Sequence, residues 1–223
     1  VIDSRALLSL VKEDEIEVDQ PVFMEATTDV WGLDRIDDVK GLDKDYSPKY
    51  DGSGQIVYVI DTGINLDHGE YKGRVARGKN MRDDGNPDET DGNGHGTHCA
   101  GTVLGTKYGV APRATLAGVR VLSDSGSGST SDIIKGMEWS MNDWKKNHKE
   151  KGCVLSMSLG GPGRHSGMNK AATAASKEGA IVVVAAGNSR ADACNFSPAS
   201  AGGNARTNFG VITVMASDSK DTR

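Results

Sequence analysis

The sequence predicts an α/β fold, a parallel sheet with helices on both faces. Short, mostly apolar runs recur at 56–60, 114–121, 153–159, 181–186 and 211–216, and helical stretches lie between them. Runs apolar at nearly every position fit strands buried on both faces, and strands alternating with helices fit crossover connections within one parallel sheet. The 223 residues are 36% hydrophobic and 26% charged, which suits a single domain with a sizeable core.

Along the chain, residues 4–12 read as the end of an amphipathic helix, and 15–23 alternate polar and apolar residues like a strand. Residues 24–54, richer in Asp, Gly, Lys and Tyr, read as a connection hugging the surface, with a boundary at 23/24. The run 123–131 (SDSGSGSTS) is of low complexity and reads by default as a flexible loop. Ser131 or Asp132 then caps a helix whose Ile133, Ile134, Met137, Met141 and Trp144 share one face. A second helix occupies 169–177, with Gly179 placed to end it. The sequence contains no internal repeat.

Composition narrows the partners. A formal net charge of −5 argues against nucleic acid or an anionic membrane, both of which favour a basic surface. No apolar run approaches the ~20 residues of a membrane span, and no charged segment followed by an apolar one opens the chain. Three cysteines cannot all pair with one another, so one is free or bonds outside this sequence.

Four motifs sit where such a sheet gathers its chemistry, at the carboxyl ends of strands. Asp61 ends the run Val57-Tyr58-Val59-Ile60 and is followed by Thr62-Gly63; a carboxylate there is costly unless something nearby needs its charge. His95 follows the turn-forming Asp91-Gly92-Asn93-Gly94 and precedes the Gly96-Thr97-His98-Cys99-Ala100-Gly101 run, which places it at a helix start. Zinc ligation by His95 and His98 lacks a third ligand at a familiar spacing, so His98 reads as a buried structural histidine. Asn188, after Val184-Ala185-Ala186-Gly187, is either an oxyanion donor or an Asx-turn residue. Ser158-Leu159-Gly160-Gly161 ends another strand with backbone that a ligand can approach closely.

Asp, His, SLGG and Asn occur in the chain order of a subtilisin-type triad. With DGNGHGTHCAGTV, the stretch from Leu116 to Leu122, and AAGN followed by ADACNFSPAS, the chain resembles the subtilases, and within them the proteinase K family. The resemblance implies a serine endopeptidase of subtilisin-like fold that hydrolyses peptide bonds through an acyl-enzyme. Asp61 would orient His95, His95 would be the general base, and Asn188 would donate to the oxyanion. Gly126, Ser127 and Gly128 would pair with an extended peptide, while Ser158, Leu159, Gly160 and Gly161 would line the specificity pocket.

The same resemblance places the nucleophilic serine in a Gly-Thr-Ser-Met-Ala motif beyond Arg223. The chain is therefore expected to be incomplete at its C-terminus and inactive by itself. A non-catalytic binding protein on the same fold is the rival reading. Residues 1–23 would be the tail of an inhibitory prodomain cleaved between Phe23 and Met24, or an ordinary N-terminal arm, and 24–223 the catalytic domain. Asp34, Asp37 and Asp38, with Asp43 and Asp45 close by, resemble a calcium loop, although acids at a helix start account for them equally. Cys194 would bond a cysteine beyond Arg223, Cys99 is the family's free thiol, and Cys153 a buried apolar residue. The implied protein is a monomer, secreted or delivered to a vacuole or lysosome, whose partners are polypeptide substrates and its own prodomain.

Overall fold

The computed structural model describes residues 26–27, 30–39, 41–202 and 210–222. The helix expected at 4–12, the strand at 15–23 and the 23/24 boundary lie outside them. In chain order the elements are β1 (Ala26–Thr27), α1 (Trp31–Asp37), β2 (Asp45–Tyr46), β3 (Gln55–Asp61), β4 (Lys79–Asn80), α2 (His95–Leu104), β5 (Thr115–Arg120) and α3 (Thr130–Asn147). There follow β6 (Gly152–Met157), β7 (Gly161–Pro162), α4 (Ser166–Lys177), β8 (Ile181–Ala185), β9 (Phe196–Ser197) and β10 (Ile212–Val214). The connection expected at 24–54 thus carries a short helix and an antiparallel pair, β1 with β2.

Six strands form one parallel sheet in the order β10-β8-β6-β3-β5-β4. The centre belongs to β3, where six of seven residues are buried. Ile56, Tyr58 and Ile60 pack with Met137 and Met141 of α3 and Met168 and Ala172 of α4. Val57 and Val59 pack on the opposite face with Ala100 and Leu104 of α2. Burying each such aliphatic side chain stabilises by roughly 1.5–3 kcal/mol, so β3 contributes to two cores at once. The chain leaves β3 toward β5 and later returns to its other side as β6. That reversal opens a crevice at the carboxyl end of β3.

Burial on both faces holds for β3 and β5, but β6 and β8 alternate and β10 is a half-exposed edge with Ile212 at 51% exposure. The cap of α3 is Ser129 rather than Ser131 or Asp132. Its backbone is extended, and its hydroxyl accepts the N–H of Asp132 at 3.1 Å, the reach a capping oxygen needs. The α4 helix starts at Ser166, three residues before the expected start, and stops as expected: Gly179 at φ +109° donates to the Ser176 carbonyl and Ala180 to that of Ala175, each at 3.1 Å.

Candidate active site

The last residue of β3, Asp61, is fully buried. Its Oδ1 lies 2.7 Å from Nδ1 of His95 and accepts the N–H of Thr62, also at 2.7 Å. Its carbonyl takes the N–H groups of Val121 and Leu122 at 2.9 and 3.1 Å, which clamps the strand end against the end of β5. A buried carboxylate costs several kcal/mol unless it is paired, and the imidazole is its pairing partner here. Because an ionised carboxylate only accepts, His95 carries its proton on Nδ1. Nε2 is left with a free lone pair and makes no hydrogen bond among the described residues.

His95 opens α2 with its side chain half exposed. The helix start can approach β3 because residue 96 is glycine; a Cβ there would collide with the Gly63 carbonyl. Asp91 organises the turn before the helix. Its carboxylate accepts from the Thr62 hydroxyl at 2.8 Å, the Thr97 hydroxyl at 2.6 Å, and the N–H groups of Asn93, Gly94 and Thr97. Burial acts to raise its pKa, but these bonds, led by Thr97, prevail and lower it to about 2. Asn93 Oδ1 in turn accepts the His95 N–H at 3.1 Å.

A cleft of about 590 Å³ runs past His95. It is lined by Gly126, Ser127 and Gly128, by Ser158, Leu159, Gly160 and Gly161, and by Ala185, Ala186, Gly187 and Asn188. The structure therefore brings nine of the expected site residues, His95 among them, to one crevice, with Asp61 bonded to His95 behind it. Asn188 is exposed there, and its side chain makes no hydrogen bond among the described residues. The serine-rich run is better ordered than its composition suggests. Ser123 donates its N–H to the Ser127 carbonyl at 2.7 Å, the hydroxyls of Ser123, Ser125 and Ser127 lie within 3.0 Å of one another, and Leu122 bridges Gly128. Opposite, β7 pairs antiparallel with β9.

Other expectations fare differently. His98 is exposed, not buried, because it points away from the sheet-facing Gly96, Ala100 and Leu104. Cys99 is half buried with Sγ 3.9 Å from His95 Nδ1, and burial pushes its thiol up, which keeps it a poor nucleophile. Cys153 is buried, its thiol pushed up to about 12 by that burial. Cys194 is exposed and free. Two serines of the loop after Asn188 have other duties: the Ser197 hydroxyl accepts the His165 N–H at 2.8 Å and that of Ser200 accepts from Asn169.

Away from the cleft, Asp34, Asp38 and Asp43 bring carboxylate oxygens within 4.8 Å of one another. Asp37 stands apart, its Oδ2 accepting the Ser47 N–H at 2.7 Å. Burial, then the charges of Asp43, Asp37 and Asp34, hold the Asp38 carboxyl above its usual range. Asp34 is buried and already accepts the N–H groups of Asp43 and Lys44. Residues 91, 62, 97, 93 and 120 also build the site, yet the sequence signalled only Asp91 and Asn93, as turn formers before His95.

A parallel α/β sheet whose switch point holds a buried carboxylate against a cleft-facing imidazole is an arrangement suited to acid–base chemistry in that cleft. The chain belongs to the subtilase family (peptidase S8), whose profile matches residues 52–223. It is 47% identical over 198 residues to alkaline serine exoprotease A of Vibrio alginolyticus, which covers 88% of this chain and 34% of that protein. Subtilisin-like protease 3 of Arthroderma benhamiae is 43% identical over 210 residues, or 89% and 51%. A cold adapted subtilisin-like serine proteinase superposes with a TM-score of 0.77 at 44% identity, over 87% of this chain and 66% of that one. Sphericase does so with a TM-score of 0.60 at 31% identity, over 73% and 53%. The chain spans about a third to a half of the length of the curated relatives it matches.

Proposed function

We propose that this chain is the Asp-His part of a serine endopeptidase whose nucleophilic serine lies beyond Arg223. The observation that carries the reading is the 2.7 Å contact between buried Asp61 and His95 on the cleft. His95 Nε2 takes the proton of the serine hydroxyl as its oxygen attacks the peptide carbonyl, and Asp61 stabilises the imidazolium that forms. Asn188 donates its amide N–H to the tetrahedral oxyanion. His95 then protonates the leaving amine, and water attacks the acyl-enzyme by the same route in reverse. The peptide lies between residues 126–128 and 158–161.

Labelling the full-length protein with a fluorophosphonate tests this. One serine outside residues 1–223 is expected to carry the label, and the label is expected to vanish in His95→Ala. Label on a residue within 1–223 would assign another nucleophile. A folded protein that neither reacts nor hydrolyses peptides would be the non-catalytic binder instead.

The finer expectations stay within this reading. Asp34, Asp38 and Asp43 are hard oxygen donors whose mutual repulsion a calcium ion would relieve, so these three would hold it, with Asp37 outside. Chelator should lower the thermal midpoint of the full-length protein, and a D34N/D38N/D43N variant should lose that shift; a variant that keeps it would place calcium elsewhere. Residues 1–23 act as an inhibitory tail released by cleavage between Phe23 and Met24. N-terminal sequencing of the active protein checks it, and a start before Asp14 would refute it. Cys194 pairs with a cysteine outside this sequence, which requires an oxidising compartment such as the secretory route. Alkylation of Cys194 without prior reduction would refute that.

A further inference from the structure

A closed circuit of contacts joins the acid–base pair to the loop that faces the substrate. Arg120 ends β5 and stands beside Asp61 in the sheet register. Its guanidinium is nearly buried, with Nη2 3.0 Å from Asp124 Oδ1 and 3.3 Å from Asp84 Oδ2, and Nη1 donating to the Thr90 carbonyl at 3.3 Å. The Asp124 carbonyl accepts from Asn93 Nδ2 at 2.6 Å, and Asn93 Oδ1 accepts the His95 N–H. His95 returns to Asp61. A side branch runs from Asp84 through Arg82, whose Nη1 reaches the Ser127 carbonyl at 3.4 Å.

We propose that Arg120, Asp124 and Asn93 are positioning residues that hold the 126–128 edge in register with His95, so that an extended peptide pairing with that edge meets the base correctly placed. The inference rests on the proposed peptidase function. Its physical basis is the buried charge of Arg120. A guanidinium taken out of water needs its partners, and one of them, Asp124, belongs to the otherwise exposed loop. Letting the loop drift away would leave that charge with a partner fewer, so the loop is held. An edge displaced by about 1 Å would still bind peptide, but out of line with the reacting groups.

Two substitutions disturb the Arg120–Asp124 contact, one by removing the carboxylate and one by displacing it. Asp124→Ala removes a carboxylate whose side chain is 63% exposed and leaves Arg120 its contacts with Asp84 and the Thr90 carbonyl, so the variant is expected to fold, with the near-ultraviolet circular dichroism as the check. Gly92→Ala puts a Cβ into the same carboxylate. In the full-length protein each should lower kcat for a tetrapeptide anilide about tenfold with little change in KM, and affect a single-residue ester, which does not reach the edge, several times less. The double variant should be no worse than the worse single one, because both remove one contact. Equal losses on both substrates, or additive ones, would overturn the proposal. Amide exchange at 123–128 gives a readout independent of activity: Asp124→Ala should accelerate it about tenfold, and unchanged exchange would also overturn the proposal. If the unsubstituted protein hydrolyses neither substrate, the peptidase reading fails, and exchange alone decides whether the Arg120–Asp124 contact holds the edge.

Discussion

Around His95 most polar groups are committed, Asp61 Oδ2 and His95 Nε2 excepted, whereas the Asn188 amide has no partner among the described residues. On the β3–α2 side, Asp61 is tied to His95, Thr62, Val121 and Leu122, and Asp91 gathers five donors beneath the helix start. On the β8 side, Asn188 follows a strand by way of Gly187 at φ +98° and makes no side-chain hydrogen bond among the described residues. The difference suits the two roles proposed above. A base has to keep one tautomer and one ring orientation while protons come and go, so a scaffold of hydrogen bonds serves it. An oxyanion donor has to keep its N–H unspent until charge develops, so an existing partner would compete with the substrate.

The largest effect expected on the committed side is His95→Ala in the full-length protein, with kcat falling about 10⁶-fold and the near-ultraviolet circular dichroism unchanged. That magnitude is carried over from a subtilisin. Asn188→Leu should lower kcat about 10²–10³-fold with little change in KM, a figure with the same origin. A KM effect alone would mean that Asn188 positions substrate, and the contrast between the two sides would collapse.

The scaffold itself can be probed through pH. Asp91 is held at about 2 in the fold, below the ordinary value of about 3.9. Its contribution to stability is therefore complete above about pH 4 and is lost as pH falls through about 2. Urea midpoints should drop between pH 4 and 2, and Asp91→Asn should flatten that drop; an equal slope in the variant would mean that other carboxylates carry it. The smallest effect belongs to His98→Ala. Exposed and uninvolved in the pair, it should leave kcat within about twofold and stability within about 0.5 kcal/mol. A large kcat loss would extend the committed region to the outer face of α2.

Much of the framework is legible in the sequence because β3 and β5 are buried on both faces and so read as unbroken apolar runs. The two-residue strands β4, β7 and β9 carry no pattern long enough to read. His98 is misread because position, not residue type, decides its burial: it lies about 200° around the helix from Gly96. Among the aspartates, the resemblance to a calcium loop rested on Asp34, Asp37 and Asp38 with Asp43 close by; the fold clusters Asp34, Asp38 and Asp43 and turns Asp37 toward Ser47. Asp61, His95 and Asn188 stand out in their motifs, since each lies within two residues of a glycine that marks a strand end or a helix start. Arg120 does not, because the need for its charge arises only when residues 84 and 124 converge on it.

The central place of β3 has a consequence for how this molecule opens and closes. Its two neighbours come from residues 115–120 and 152–157, so both pairings span long stretches of chain. Such contacts form late and together, and none can be released singly from an interior strand. The amides of Thr62, Val121 and Leu122, all bonded to Asp61, should therefore exchange with solvent only through global unfolding, while the 105–110 turn exchanges through local fraying. The Asp61 carboxylate would then be reached only when the whole sheet comes apart, and proteolysis of partly opened molecules would leave its contact with His95 intact until the last cooperative unit fails.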